Sequence, residues 1–236
     1  MDLNGKRVLI VGGSSGIGLA TALKAQALGA DVAIASRSQA RLDDALVRLS
    51  GPARSVVLDT GDEDAVSRFF DASEPWTHIV VSAAQTPVGP LRSLPLDQAR
   101  SAMESKFWGA YRIARSARFD ADGSLSLVTG FLSVRPSATS VLQGAINAAL
   151  EGLVRGLALE LSPVRVNAIS PGLIDTPLWD RMPEQARSDM FARAASSLPA
   201  KRVGTADDIA NAAVFLMQTP FATGSTVRVD GGGAIA

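Results

Sequence analysis

The residues Gly12-Gly13-Ser14-Ser15-Gly16-Ile17-Gly18 have the spacing of a phosphate-binding turn. Gly12 permits a tight turn, Gly16 lets the backbone approach a pyrophosphate, and Gly18 lets the following helix pack on the strand before it. The free N–H groups and positive dipole end of that helix would hold the phosphates, with Ser14, Ser15 and Ile17 in the same turn. A glycine pattern alone carries little weight. Here it sits between a short apolar run, Arg7–Val11, and a helical pattern, which is the context such a motif requires. The next apolar run ends at Ala35-Ser36-Arg37-Ser38. A site for NAD usually carries Asp or Glu at this point to bind the ribose 2′-hydroxyl, whereas a site for NADP replaces the acid and brings an Arg to the 2′-phosphate. Ser36 is not an acid, Arg37 follows at once, and Asp31 lies at the wrong end of the run. Ser36, Arg37 and Ser38 therefore predict NADP(H) as cofactor. The alternative is that Arg37 is a solvated loop residue, or stacks on adenine without selecting a phosphate.

Such a turn needs a strand ahead of it, a helix behind it and a neighbouring strand, and the whole chain repeats that alternation. Candidate strands are Arg7–Val11, Val32–Ala35, Ser55–Leu58, His78–Ser82, Ser124–Val128, Arg165–Ile169 and Thr226–Val229. Most are apolar at nearly every residue, as strands covered on both faces are. Helical stretches such as Ile17–Leu28, Ala40–Leu49, Leu96–Ala117 and Val141–Leu161 lie between them. The pattern predicts an α/β fold, a doubly wound parallel sheet of about seven strands (Rossmann fold), in a single domain spanning residues 1–236. The longest stretch without an assigned element, about 172–205, is expected to be irregular and to form a substrate lid. Its Leu178, Trp179, Met182, Met190 and Phe191 would either cover the pocket with an apolar face, which suits a mainly apolar small-molecule substrate, or pack the lid on the core or on a second copy.

Composition narrows the function classes. Hydrophobic residues make up 47% of the 236, enough for a large core. The 23 basic and 23 acidic residues cancel, so there is no general attraction to nucleic acid or an anionic membrane. There is no cysteine, which excludes disulfides and thiol catalysis. No apolar run is long enough to span a membrane, and the first residues lack a signal-peptide cleavage pattern, so a soluble, cytoplasmic protein is expected. No His/Asp/Glu cluster has metal-ligand spacing. Asp62-Glu63-Asp64 reads as a helix N-terminus. His78, the only histidine, reads as structural because it precedes the buried fourth strand.

The spacing Gly12, Gly16, Gly18 resembles that of the classical short-chain dehydrogenase/reductase family, and the resemblance extends along essentially the whole chain. Asp59-Thr60 is similar to the family's acidic contact with the adenine amine. Ser82-Ala83-Ala84-Gln85 stands where the family has Asn-Asn-Ala-Gly after the fourth strand. Val166 to Thr176 is similar to the segment that leads to the nicotinamide. That segment includes Pro171 and Gly172 as cofactor-binding residues, Ile174 would hold the carboxamide through its backbone, and Thr176 would meet the carboxamide or a phosphate. Val229-Asp230-Gly231-Gly232 is similar to the family's C-terminal strand ending. The resemblance implies an oxidoreductase that assembles as a homotetramer or homodimer through two long helices. Gly144, Ala145, Ala148, Ala149, Gly152 and Gly156 would permit close contact along the second of them.

The family's catalytic residues are absent. Its members use Ser, Tyr and Lys, with an Asn on the preceding long helix. The Tyr and Lys are four residues apart and so share a helix face. Gln143 occupies the Tyr position, Asn147 the Lys position, and Gly130 the Ser position, while Lys106 stands at the Asn position. No shifted alignment restores the pattern: the single tyrosine, Tyr111, lies elsewhere, and the lysines are Lys6, Lys24, Lys106 and Lys201. Lys106 and Asn147 look like a reciprocal exchange. Lys106 would bring the ammonium from the other helix, with a lowered pKa that lets it donate a proton, while Asn147 keeps a ribose hydrogen bond. Otherwise Lys106 is a solvated helix residue on a chain that has lost catalysis. Gln143 can bind a substrate but cannot exchange a proton near neutral pH. Hydride transfer to an iminium or an activated C=C bond needs little proton help and would tolerate these changes. Ser133, Arg135 and Ser140 lie in the loop before this helix, where one of them would contact substrate or all are simply polar loop residues. Three readings stay open: an atypical oxidoreductase, an NADP(H)-binding regulator without turnover, and a non-redox enzyme that reuses the pocket.

Overall fold

The computed structural model describes residues 2–236. In chain order it contains β1 (Arg7–Val11), α1 (Gly16–Ala27), β2 (Asp31–Ser36), α2 (Gln39–Arg48), β3 (Ala53–Val57), α3 (Glu63–Ala72), β4 (Trp76–Val81), α4 (Leu96–Met103), α5 (Gly109–Ser116), β5 (Phe119–Val128), α6 (Val141–Glu160), β6 (Arg165–Pro171), β7 (Ile174–Asp175), α7 (Glu184–Ser197), β8 (Gly204–Thr205), α8 (Ala206–Gln218) and β9 (Thr226–Val229). Seven strands form one sheet in the order β3-β2-β1-β4-β5-β6-β9, and every pairing in it is parallel. β7 and β8 pair separately.

The apolar strands follow from this arrangement. β4 is buried at all six positions and β6 at all seven. One sheet face packs on Leu19, Ala22 and Ala25 of α1, Leu42 of α2, and Ile209, Ala213 and Leu216 of α8. The other packs on Phe70 of α3, Ile113 of α5, and Ile146, Leu150 and Val154 of α6. The sheet therefore has helices on both faces, and its strand order reverses between β1 and β4. In such sheets ligands bind outside the C-terminal strand ends at that reversal. The glycine turn leaves the C-terminal end of β1.

Three local expectations need correction. The stretch 172–205 is not irregular, because it carries the 14-residue α7 as well as β7 and β8. The helix there shows little apolar periodicity and buries none of its residues fully. Second, the helix expected over Leu96–Ala117 is interrupted by a π-helical turn, Glu104–Trp108, between α4 and α5. Such turns often sit at functional sites. Third, β5 begins at Phe119, before the expected Ser124. Its early residues Asp120 and Asp122 are polar and lie outside the apolar run.

His78 belongs to the core. It lies within β4, at the end of the sheet away from the glycine turn, with Nδ1 2.8 Å from Ser124 Oγ. Burial, helped by the Arg165 charge, lowers its pKa from 6.5 to about 4. The unfolded chain therefore binds more protons between pH 6.5 and 4, and stability falls as the pH drops through that window, by up to about 3 kcal/mol. Denaturant titrations of wild type and His78→Gln across pH 4–7 test this. The variant is expected to lose the part of the decline that belongs to His78.

Candidate active site

The turn after β1 has the form of a cradle. Gly16 has φ of +51°, and a Cβ on it would point into space whose nearest occupant is the Thr176 side chain at 3.4 Å. Gly18 permits the close approach of α1 to β1, since a Cβ there would lie 2.1 Å from the Gly12 carbonyl oxygen. Ser15, the N-cap of α1, makes no side-chain bond to the helix, and no acidic residue lies in its first turn. The N-terminal N–H groups and dipole are thus left for an anion. Ser14 Oγ donates to Ser36 Oγ at 3.0 Å, which ties the turn to the end of β2. Arg37 is exposed and forms no ion pair among the described residues. Ser38 Oγ accepts from Arg41 N and caps α2. These residues fit a dinucleotide: a bare, cationic-ended cradle lies next to an unpaired guanidinium.

The other predicted cofactor residues lie along the same strand ends. Asp59 is exposed and accepts from Gly61 N at 2.9 Å. Thr60 is buried, and its hydroxyl faces the bare Cα of Gly109, so its side chain anchors α5. Ser82 Oγ donates to the Val11 and Gly12 carbonyls. Ala83 N donates to Val11 O, and Ala84, the next residue, is exposed. Pro171 ends β6, and Gly172 packs against Asp230. Ile174 is buried, and its carbonyl already accepts from the Trp179 indole at 2.9 Å. Thr176 lies beside Gly16, so the segment after β6 reaches the glycine turn.

Lys106, Asn147 and Gln143 come together from separate elements. Lys106 lies in the π-helical turn, which Arg112 ties down through an ion pair with Glu104 at 2.5 Å and a bond to Thr60 O at 3.3 Å. Its Nζ donates to Asn147 Oδ1 at 2.7 Å and to the Thr129 carbonyl at 2.8 Å. One of its three N–H groups remains. Burial lowers the Lys106 pKa from 10.5 to about 8. Gln143, Asn147 and Glu151 recur at four-residue spacing on the buried face of α6. Gln143 Nε2 donates to the carbonyl of Pro87, in the loop after β4. Gly130 leaves room for Asn147, because a Cβ at 130 would lie 2.7 Å from Asn147 Nδ2.

Sequence reasoning missed Thr129, Glu151 and Pro87. Glu151 accepts from Ser133 Oγ at 2.7 Å and from Thr129 Oγ1 at 3.4 Å, and so braces the strand end that holds Lys106. Ser133 therefore points inward, while Arg135 is exposed. The residues of the expected lid face do not share a helix. Leu178 and Trp179 lie in a 3₁₀ turn with Leu178 exposed, and only Met190 and Phe191 lie on α7. A cleft of about 610 Å³ beneath α7 is lined by Phe191 and also by Asp175, Glu184, Arg187, Lys201 and Arg202. None of Lys106, Gln143 and Asn147 lines that cleft. No group of three or more His, Asp or Glu side chains among the described residues is placed to hold a metal, and no described helix is long and apolar enough to cross a membrane.

The strand order and the glycine turn at its reversal define the doubly wound class of dinucleotide-binding folds. A family model described as enoyl-(acyl carrier protein) reductase matches residues 11–233. The short-chain dehydrogenase/reductase ucsE of Acremonium sp is 31% identical over 256 residues, covering 99% of this chain and 97% of that protein. A solved small-chain dehydrogenase in complex with NADPH is 34% identical with a TM-score of 0.85, covering 98% of this chain and 99% of that one. A short-chain oxidoreductase from Pseudomonas aeruginosa PAO1, described as containing an atypical catalytic center, is 28% identical with a TM-score of 0.90 and covers 98% of both chains. The chain belongs to the short-chain dehydrogenase/reductase family.

Proposed function

We propose that the protein is an NADP(H)-dependent oxidoreductase whose proton-handling group is Lys106. The observation that carries this reading is the cluster in which Lys106 Nζ, with a pKa near 8, is held by Thr129 O and Asn147 Oδ1. A group that titrates there can hold or release a proton near neutral pH, which the amide of Gln143 cannot. The resemblance to a dehydrogenase in complex with NADPH, and to an oxidoreductase with an atypical catalytic center, supports the same reading.

Gly12, Ser14, Ser15, Gly16, Ile17 and Gly18 would hold the pyrophosphate, and Ser36, Arg37 and Ser38 the 2′-phosphate. Asp59 would face the adenine, with Thr60 supporting it. Ser82, Ala83, Ala84, Pro171, Gly172, Ile174 and Thr176 would line the nicotinamide half. When bound, the cofactor supplies or takes up the hydride. Lys106 holds the proton at Nζ, Asn147 orients that amine, and Gln143 binds the substrate. Residues 172–205, with α7, form the substrate lid. The outward Ala145, Ala148, Ala149 and Gly156 of α6 are exposed in the single chain and suit a homodimer or homotetramer, which light scattering tests.

NADPH titration followed by a panel of carbonyls, imines and enones tests the reading as a whole. Binding without oxidation of NADPH by any of them would count against it. Arg37→Ala is expected to weaken NADPH binding about 10- to 100-fold, the worth of a charge-assisted contact, and to leave NADH binding unchanged. Equal losses for the two cofactors would remove Arg37 from the 2′-phosphate site.

A further inference from the structure

We infer that the substrate couple of this site is an amine and its N–H imine, with the imine N–H donated to Gln143. The inference rests on the proposed NADP(H)-dependent reading and names its substrate class.

Gln143 is 8% exposed and lies one helical turn before Asn147 on the same face of α6. Its Nε2 donates to Pro87 O. A proline carbonyl only accepts, so the amide must present its nitrogen there and its oxygen on the other branch. That oxygen, Oε1, is buried and has no partner. The other two buried unpartnered side-chain atoms among the described residues are Ser126 Oγ on β5 and Ser170 Oγ on β6, so Gln143 alone offers one from the catalytic face of α6. An unpartnered buried acceptor is satisfied by a donor.

The surroundings select which donor. Lys106 Nζ already gives two of its protons to Thr129 O and Asn147 Oδ1. Asn147 turns Nδ2 toward Gly130, where no side chain fits beside it. Gln143 Oε1 is thus the buried, unpartnered acceptor on this face of α6 and Lys106 keeps one undonated N–H, and a reacting heteroatom that reaches the cluster is inferred to meet both. A ketone or enone oxygen carries only lone pairs and would face the lone pairs of Oε1. The nitrogen of an N–H imine carries one hydrogen and one lone pair, which match Oε1 and Lys106 in turn.

The reaction balances with these groups. A reduced nicotinamide dinucleotide, when bound, would supply the hydride, two electrons and one hydrogen, that the imine carbon receives. The C=N π pair moves to nitrogen and takes a proton from Lys106 Nζ. The products are R2CH–NH2, neutral Lys106 and oxidised dinucleotide, and Lys106 recovers its proton from solvent. The hydrogen already on nitrogen stays bound to nitrogen and donated to Gln143 Oε1 throughout, so the amide is never asked to ionise.

The test uses the reverse direction, in which both reactants are stable. Protein with saturating NADP+ is given 1-phenylethylamine or 1-phenylethanol at pH 9, and NADPH formation is followed by absorbance. Amine turnover at least about 100-fold above alcohol turnover is expected. Calorimetry on the NADP+-loaded protein, with the amine and its N,N-dimethyl analogue, supplies a second reading. The primary amine is expected to bind more tightly. Gln143→Met should erase that preference, a loss of about tenfold to a hundredfold, with NADP+ binding equal in both proteins as the check on folding. Turnover of the alcohol at a rate equal to or above the amine would overturn the amine inference and leave the cofactor reading standing. So would an amine preference untouched by Gln143→Met, or absence of both amine turnover and amine binding. Failure of the wild type to bind NADP+ would overturn both.

Discussion

Replacing Lys106 by methionine is expected to lower kcat about 10²- to 10⁴-fold, the typical worth of a general acid. The methionine matches the lysine stem in length and keeps the apolar contacts of the π-helical turn, so the fold is retained. The pH profile separates this role from simple packing. Lys106 holds its proton below about pH 8, so reduction should slow as the pH rises through that value, and the variant should lose this limb. A stability measurement supplies a second check. In the native state Lys106 releases its proton near pH 8, and in the unfolded chain near 10.5. The unfolded state binds more protons between those values, so the wild type gains stability relative to Lys106→Met as the pH rises from 8 to 10.5, by up to about 3 kcal/mol. Unchanged turnover in the variant, or parallel stability curves, would dismiss Lys106 as the proton-handling group.

Gly18→Ala is expected to disable the cofactor turn. Its Cβ would lie 2.1 Å from the Gly12 carbonyl oxygen and 2.7 Å from the Gly12 carbonyl carbon. Both are backbone atoms, so no rotamer change relieves the contact and the turn itself must move. Overpacking of this kind costs roughly 1–3 kcal/mol, which for a domain of this size lowers Tm by about 2–4 °C per kcal/mol. The effect on binding is larger. Shifting the turn removes several N–H donors from the phosphates at once, each worth about 1.5–3 kcal/mol in a charge-assisted bond. NADPH affinity should fall about 100-fold or more in a fluorescence titration, while the variant still melts cooperatively. Gly16→Ala provides the contrast. Its Cβ meets nothing closer than 3.4 Å, so that variant should lose affinity through the filled cradle and the strained φ, with less damage to the turn.

The parts of this protein that were legible in the sequence are those whose requirements are local. Gly12 to Gly18 announce a turn because the strand before them and the helix after them lie next to them in the chain. The inner strands announce themselves because burial on both faces demands continuous apolar residues, while the edge strands β3 and β9 bury no residue fully. Where a strand runs out into solvent, as β5 does at Asp120 and Asp122, the signal stops before the strand does. The exchange of Lys106 and Asn147 was readable only against the pattern of the family that the chain resembles. Their hydrogen bond was not, since it joins residues 41 positions apart across two helices. The partners that hold the cluster are harder still to foresee. Lys106 rests on the Thr129 carbonyl and Gln143 on the Pro87 carbonyl, and every residue has a carbonyl. The Trp179 indole on Ile174 O is a local contact, but it too goes to backbone that no residue type announces. The π-helical turn was invisible because an amphipathic pattern tolerates one extra residue without losing its apolar face.

The crowding between position 130 and Asn147 bears on how such a site could arise or revert. A serine at 130 would drive its Cβ to 2.7 Å from the amide nitrogen that Lys106 holds in place. A lysine at 147, with Lys106 still present, would set two ammonium groups in one poorly hydrated pocket. A tyrosine at 143 would surrender the bond to Pro87 without gaining a lysine to lower its pKa. Each of these three reversions, made alone, is thus worse than the starting point, and the benefit appears only when several are made together. Positions 106, 130, 143 and 147 behave as one heritable unit separated from the common solution by strong epistasis. Mutational walks that begin at position 130, 143 or 147 should pass through inactive intermediates.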